Sequence, residues 1–269
     1  WLYGVVLRVR HLAYDQGWLK STTPAIPAIA IGNIALGGTG KTPHVELALR
    51  TLVDHGPLAT LSRGYGRDGT HFHEVHREDD ASVAGDEPLM LKRKFSGVRV
   101  FVGGDRVAGI EAIRTTAPEV KAVILDDAFQ HRKLNAGVNI VLTTWQKPWF
   151  KDHLLPAGTL RDLASRARQA DAVIVTKCPA NPSPDEQRRW RERLKLLPAQ
   201  QLFFSGLNYA APRSLHDSTM TVKTGIGTVA LLVMGIADAA PLLEHVRSLF
   251  QTVEHIAFPD HHAFFFADQ

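Results

Sequence analysis

The chain of 269 residues holds a single cysteine, Cys178, so no internal disulfide can form, and no Cys-x-x-Cys or similar spacing accompanies it to hold a structural metal. A disulfide scaffold is excluded, and Cys178 reads as a small buried apolar residue in a reducing compartment. Charge of one sign is scarce too. The 31 Lys and Arg against 27 Asp and Glu leave +4, too small an excess over this length to argue for nucleic acid, and no nucleic-acid partner is expected. Long hydrophobic runs are missing: "WLYGVVLRVRHLAYDQGWLK" is interrupted by Arg8 and Arg10, short of the roughly 20 apolar residues a membrane span requires. Repeats and low-complexity tracts are absent. What remains, 45% hydrophobic and 22% charged, is the composition of a globular chain long enough for two lobes. The start on Trp1 and the end at "FFFADQ" imply that one or both ends have been cut.

Residues 1–20 still combine aromatic and aliphatic side chains with cations. They are expected to form a membrane-interface helix, with Trp1, Val5, Leu12 and Trp18 among headgroups and Arg8, Arg10, His11 and Lys20 toward lipid phosphates. A helix packed on the core is the open alternative. From residue 26 short apolar runs alternate with helical patterns: "IPAIAIG", "PLATLS", "VRVFVG", "KAVILDD", "VNIVLTT" and "ADAVIVTK". Near-continuous β-branched runs of this kind predict an α/β fold, a mostly parallel sheet with helices on both faces. The Pro- and Asn-rich "TKCPANPSPDE" marks a boundary, giving a core over 21–180 and a smaller α/β C-terminal lobe over 181–269.

The stretch "AIAIGNIALGGTGKTPHVELALRTL" reads as strand, loop, helix, and residues 35–42 fit the P-loop pattern except that Ala35 replaces its first glycine. Gly37, Gly38 and Gly40 free the backbone so that the N–H groups of Ala35, Leu36 and Thr39 and their neighbours can turn toward phosphate oxygens at a helix N-terminus. Lys41 would reach the β and γ phosphates of ATP, and Thr42 would offer its hydroxyl to Mg²⁺. The loop names the ligand and not the reaction. Leu36 stands where the paired-ATPase switches carry lysine, and "TKCP" stands where a GTPase would show Asn-Lys-x-Asp, so both switch readings weaken.

Other carboxylates and cations suit the same chemistry. "AVILDDAFQHRKL" ends an apolar strand in Asp126 and Asp127, the place from which a buried strand delivers a carboxylate to Mg²⁺, with Gln130 and His131 following. "GDEP" puts Asp86 and Glu87 in a turn at a helix start, where they would either cap the helix or meet an incoming hydroxyl. Arg63 and Arg67 in "SRGYGR", Arg106 in "GGDR" and Arg161 in "LPAGTLRD" lie in glycine loops and are candidate phosphate contacts. Thr176 and Lys177 are candidates for adenine contact.

In order along the chain, "GNIALGGTGKTP", "SRGYGR", "GDEP", "GGDR", "LDDAFQHRKL", "LPAGTLRD", "ADAVIVTK" and "FPDHHAF" resemble the tetraacyldisaccharide 4'-kinase family of lipid A biosynthesis. The resemblance implies transfer of the γ-phosphoryl of ATP to the 4'-hydroxyl of a tetraacylated glucosamine disaccharide 1-phosphate, by a peripheral enzyme at the cytoplasmic face of the bacterial inner membrane. It implies Asp86 as catalytic aspartate, Glu87 as a metal-side carboxylate and His261, rather than His262, as the partner of Asp86. Asp162 departs from the family pattern, which has glutamate after the arginine. A monomer is expected. The competing expectations are a regulatory ATPase or metallochaperone and a kinase of a soluble sugar.

Overall fold

The apolar runs become strands because each is too short for a stable helix and rich in β-branched residues. The structure, a computed structural model, describes residues 2–214, 220, 222–236 and 239–259. Strands β1 (Ala28–Asn33), β2 (Leu58–Ser62), β3 (His73–Glu74), β4 (Arg99–Val102), β5 (Ala122–Asp126), β6 (Val138–Thr144), β7 (Ala172–Thr176) and β8 (Gln201–Phe204) form one sheet. Its order is β3-β4-β2-β5-β1-β6-β7-β8. All neighbours run parallel apart from the two-residue edge strand β3, which pairs antiparallel with β4.

Side-chain alternation divides the core between the two faces of this sheet. Ala28, Ala30, Val123 and Leu125 pack with Ile110 and Ile113 of α5 (Arg106–Thr116) on one face. On the other, Ile31, Val100 and Ile124 pack with Val45 and Leu49 of α2 (Lys41–Leu52) and with Leu89 and Leu91 of α4 (Asp86–Lys94). A helix on each face explains why the strands read as continuous apolar runs. The short α3 (Ala81–Ala84) leads into α4 through Gly85.

Helix α1 (Leu2–Asp15) turns Gly4, Leu7 and His11 inward. Leu2, Val5, Val6, Val9 and Leu12 are exposed. Of the residues expected to face lipid, Val5, Leu12, Trp18, Arg8 and Lys20 are exposed, whereas Arg10 is half-buried and His11 is buried. Among the described residues no helix is long and apolar enough to cross a membrane.

The expected boundary near 181 does not divide the structure. The prolines there belong to a loop and to the first turn of α6 (Pro184–Leu194), whose N-cap Ser183 forms a capping box with Glu186. The chain then adds β8 to the sheet, and the two compact units run Trp1–Gly206 and Leu207–Gln269. In the second unit β9 (Gly225–Met234), α7 (Ala240–Leu249) and β10 (Phe250–Ala257) make a parallel βαβ element.

Candidate active site

In the register of β1 and β5, Ile31 lies opposite Asp126, so the end of β5 is brought beside the loop that follows β1. Ligands of open parallel sheets bind at this carboxyl edge. The loop turns at Gly37 (φ 100°) and Gly40 (φ 83°), left-handed values that glycine adopts without strain, and Gly40 caps α2. Ala35 needs no such freedom because it lies in an extended bridge to Leu160, which accounts for alanine at a position usually held by glycine.

Neighbouring segments pin the loop. The Asn33 amide donates to Thr39 Oγ1 at 2.7 Å, Thr176 Oγ1 donates to the Thr39 carbonyl at 2.9 Å, and Leu36 N–H donates to Thr159 O at 2.8 Å. His44 lies 2.7 Å from Gly40 O through Nδ1 and 3.0 Å from Ser205 Oγ through Nε2. Burial depresses the His44 pKa, which keeps the ring neutral at pH 7. The unbonded N–H groups of the first turn of α2 present its positive end at the loop.

Four oxygen-bearing side chains converge there. Thr42 Oγ1 donates to Glu87 Oε1 at 2.7 Å, which ties "GDEP" to the first turn of α2. Asp126 is 5% exposed with one carboxylate oxygen unpartnered, and burial, then the charges of Glu87 and Asp127, push its pKa up to about 7. Burial acts on Asp127 in the same direction, but the hydrogen bond from Arg161 and the charges of Lys41 and Arg161 outweigh it and hold the carboxyl below its ordinary value. Lys41 Nζ lies 3.9 Å from Asp127 Oδ1. Asp127 takes φ 52°, a left-handed conformation that aspartate tolerates better than most residues.

Asp86 opens α4 and is exposed; its Oδ1 accepts the Glu87 N–H at 2.8 Å. The turn before it fits against the "SRGYGR" loop: a Cβ on Gly85 would lie 3.1 Å from Gly64 Cα and from Tyr65 O. With φ 85° as well, Gly85 suits glycine twice over.

The arginines divide into two sorts. Arg67 and Arg106 are buried and donate to backbone carbonyls, Arg67 to Arg63 O and His71 O, Arg106 to Gly103 O and the Asp126 carbonyl. These bonds brace the loops, while Arg67 Nη1 and Arg106 Nε keep no partner among the described residues. Arg63 is exposed. Arg161 pairs with Asp127 and reaches Asn33 Oδ1 at 2.5 Å. Gln130 donates to the Asn33 carbonyl, and His131 is half-buried in the same turn. Thr176 supports the loop backbone. His261 and His262 lie outside the described residues.

Helix α1 reaches the same turn from outside. Tyr3 donates to Arg161 O at 2.6 Å, Arg10 to Gln130 O at 3.0 Å, and His11 Nε2 meets Asp162 Oδ1 at 2.6 Å. Burial lowers the His11 pKa against the pull of Asp162, so a neutral ring donates through Nε2. Asp162 is thereby engaged by α1. Tyr3, Asn33 and His44 carry no motif of their own in the sequence; the one local signal is the polar Asn33 closing an otherwise apolar strand just before the loop.

The family model described as "LpxK: Tetraacyldisaccharide-1-P 4'-kinase" matches residues 1–268. The chain belongs to the tetraacyldisaccharide 4'-kinase family. It is 41% identical over 271 residues to the tetraacyldisaccharide 4'-kinase of Bacteroides fragilis (strain YCH46), covering 98% of this chain and 72% of that protein. With the Flavobacterium johnsoniae tetraacyldisaccharide 4'-kinase it shares 39% over 267 residues, covering 99% and 78%. The crystal structure of LpxK from Aquifex aeolicus in complex with ATP matches with a TM-score of 0.77 and 27% identity, over 97% of this chain and 80% of that one. As a member of this kinase family the chain is a phosphotransferase with an alcohol acceptor, in a P-loop kinase fold.

Proposed function

We propose that the chain transfers the γ-phosphoryl of ATP to the 4'-hydroxyl of a tetraacyldisaccharide 1-phosphate, with Asp86 as the base. The observation that carries the reading is the bond between Thr42 and Glu87, because it sets the Asp86 turn against the start of the P-loop helix. The family fixes the substrate class, and the geometry supports the residue roles.

The residues fit a magnesium ion. Asp126 has a buried, unpartnered oxygen beside two further carboxylates, an arrangement that is costly without a cation. Thr42, Asp126, Asp127 and Glu87 would hold the ion, directly or through water. Magnesium bound with nucleotide neutralises charge on the β and γ phosphates. Among the described residues no three His, Cys, Asp or Glu side chains form a ready-made cage.

Phosphoryl transfer needs positioning and charge neutralisation more than covalent help. The Leu36 and Thr39 amides, expected to face phosphate, are taken by Thr159 O and Gly37 O, so the amides of Gly37, Gly38, Gly40, Lys41 and Thr42, with the Lys41 ammonium, hold the polyphosphate. Arg161, already poised on Asp127, and exposed Arg63 offer guanidiniums to the transferring group. Asp86 accepts the proton of the acceptor hydroxyl at its carboxylate, and His261 is its proposed partner. The exposed aliphatic side of α1 seats the enzyme on a lipid surface, at the cytoplasmic face of the inner membrane, where a four-chain acceptor resides.

Incubation with γ-³²P-ATP and the tetraacyldisaccharide 1-phosphate in detergent micelles tests the reading. Label is expected on the lipid; label appearing as inorganic phosphate alone would overturn it.

A further inference from the structure

Asp86 opens onto a groove of about 520 Å³ that runs along α4, walled by Leu89, Met90, Arg93 and Lys94 with Ala81 at its side. These α4 residues follow Asp86 at intervals of three, four, seven and eight, the spacing that lines up one stripe of a helix. The stripe is apolar in the middle, where Met90 is 42% exposed, and cationic at its far end in the last turn. No residue of the P-loop lines it.

The cations there are unequally committed. Arg93 uses Nε on Arg77 O at 3.4 Å and keeps its terminal nitrogens unbonded among the described residues. Lys94 is partly neutralised by Glu46 at 2.5 Å, and Lys92 is turned to Val98 O. Arg93 is therefore the cation of this stripe best placed to take an anion.

The acceptor class carries its reactive 4'-hydroxyl and its 1-phosphate at opposite ends of two linked sugar rings. With a rise of 1.5 Å per residue, Arg93 lies roughly 10 Å along α4 from Asp86. That is a length comparable to two such rings, and a guanidinium with two free nitrogens is suited to grip a phosphate monoester.

We infer that the α4 groove is the acceptor subsite. Arg93, assisted by Lys94, holds the 1-phosphate, while exposed Met90 meets the apolar part of the lipid. The inference rests on the proposal that Asp86 meets the 4'-hydroxyl, and it makes α4 a ruler that presents one end of the acceptor when the other is gripped.

The test is steady-state kinetics in mixed micelles with two acceptors, the tetraacyldisaccharide 1-phosphate and the same disaccharide lacking its 1-phosphate. Arg93→Ala is expected to lower kcat/KM for the phosphorylated acceptor roughly tenfold, at the lower end for a charged hydrogen bond, with KM for ATP unchanged. With the dephosphorylated acceptor, variant and unaltered chain should perform alike. Lys94→Ala should show the same pattern, only weaker. An equal penalty on both acceptors, or none on either, overturns the subsite. If the unaltered chain labels neither acceptor, or Asp86→Ala keeps full turnover, it is the functional reading itself that fails. Arg93 is exposed, so its variant is expected to unfold at the same temperature as the unaltered chain.

Discussion

On the nucleotide side of the site, Asn33, Thr176, Thr159 and His44 each hold the P-loop backbone or its threonine, and the loop arrives already shaped. On the acceptor side, Arg63, Tyr65 and Asp86 are exposed, on two segments that approach each other at Gly64 and Gly85. The nucleotide side can bind with little rearrangement, since these bonds already hold the loop backbone in its turn. Mutations on the two sides should therefore fail in different ways, one through affinity and stability, the other through turnover.

The largest effect belongs to the open side. A positioned base contributes about 10²–10⁴ in rate, so Asp86→Ala should lower kcat by that factor while the Kd for ATP, measured by calorimetry, stays nearly constant. Full turnover, or a parallel loss of ATP binding, would break the division. Lys41→Ala should instead damage both quantities, since its ammonium serves the polyphosphate in the ground state and during transfer alike.

Asp126 sharpens the contrast from the closed side. Its pKa is raised from 3.8 to about 7 in the folded chain, so the fold binds more protons than the unfolded chain between those values. Its contribution to stability is therefore lost as pH rises from about 4 to 7 in the absence of magnesium. Asp126→Asn removes the buried charge and should raise the melting temperature of the magnesium-free protein at pH 8, on the order of 5 °C, while abolishing transfer. A lower melting temperature at pH 8 would show that the carboxylate is already compensated.

Asn33→Ala comes next. It leaves buried Thr39 without its donor and Arg161 without one acceptor, at about 1–3 kcal/mol, so Kd for ATP should rise about tenfold while kcat at saturating ATP changes little. A fall in kcat with Kd unmoved would place Asn33 on the acceptor side.

Legibility in the sequence follows the same division. The strands, the P-loop and Asp126 are written in contiguous residues, because burial on both faces demands unbroken apolar runs and a phosphate cradle demands glycines at fixed steps. Arg67 and Arg106 were legible only as loop arginines; most of the carbonyls they reach lie three or four residues away, but the sequence does not say that the loop will curl so as to present them. Helix α1 misled for a related reason. Arg10 and His11 look like headgroup cations in an amphipathic pattern, yet their acceptors, Gln130 O and Asp162, come from segments more than a hundred residues away. The boundary near 181 was misplaced because prolines that break a strand also open a helix, as in α6.

Helix α1 meets the nucleotide side from outside and yields the smallest effect. The Tyr3 hydroxyl reaches the carbonyl of Arg161, whose side chain lies on Asp127 and Asn33, so a helix with an exposed aliphatic side ends one bond away from the nucleotide site. Tyr3→Phe keeps the ring and removes that bond, costing about 0.5–1.5 kcal/mol, seen as a lower urea midpoint with the slope unchanged. If α1 only anchors the enzyme, the loss should stop there and leave kcat intact on a micellar acceptor. If α1 also holds Arg161 in place, kcat should fall a few-fold with no change in partition onto vesicles. The second result is the one expected, because the polar contacts of α1 go to the site while its apolar side faces outward.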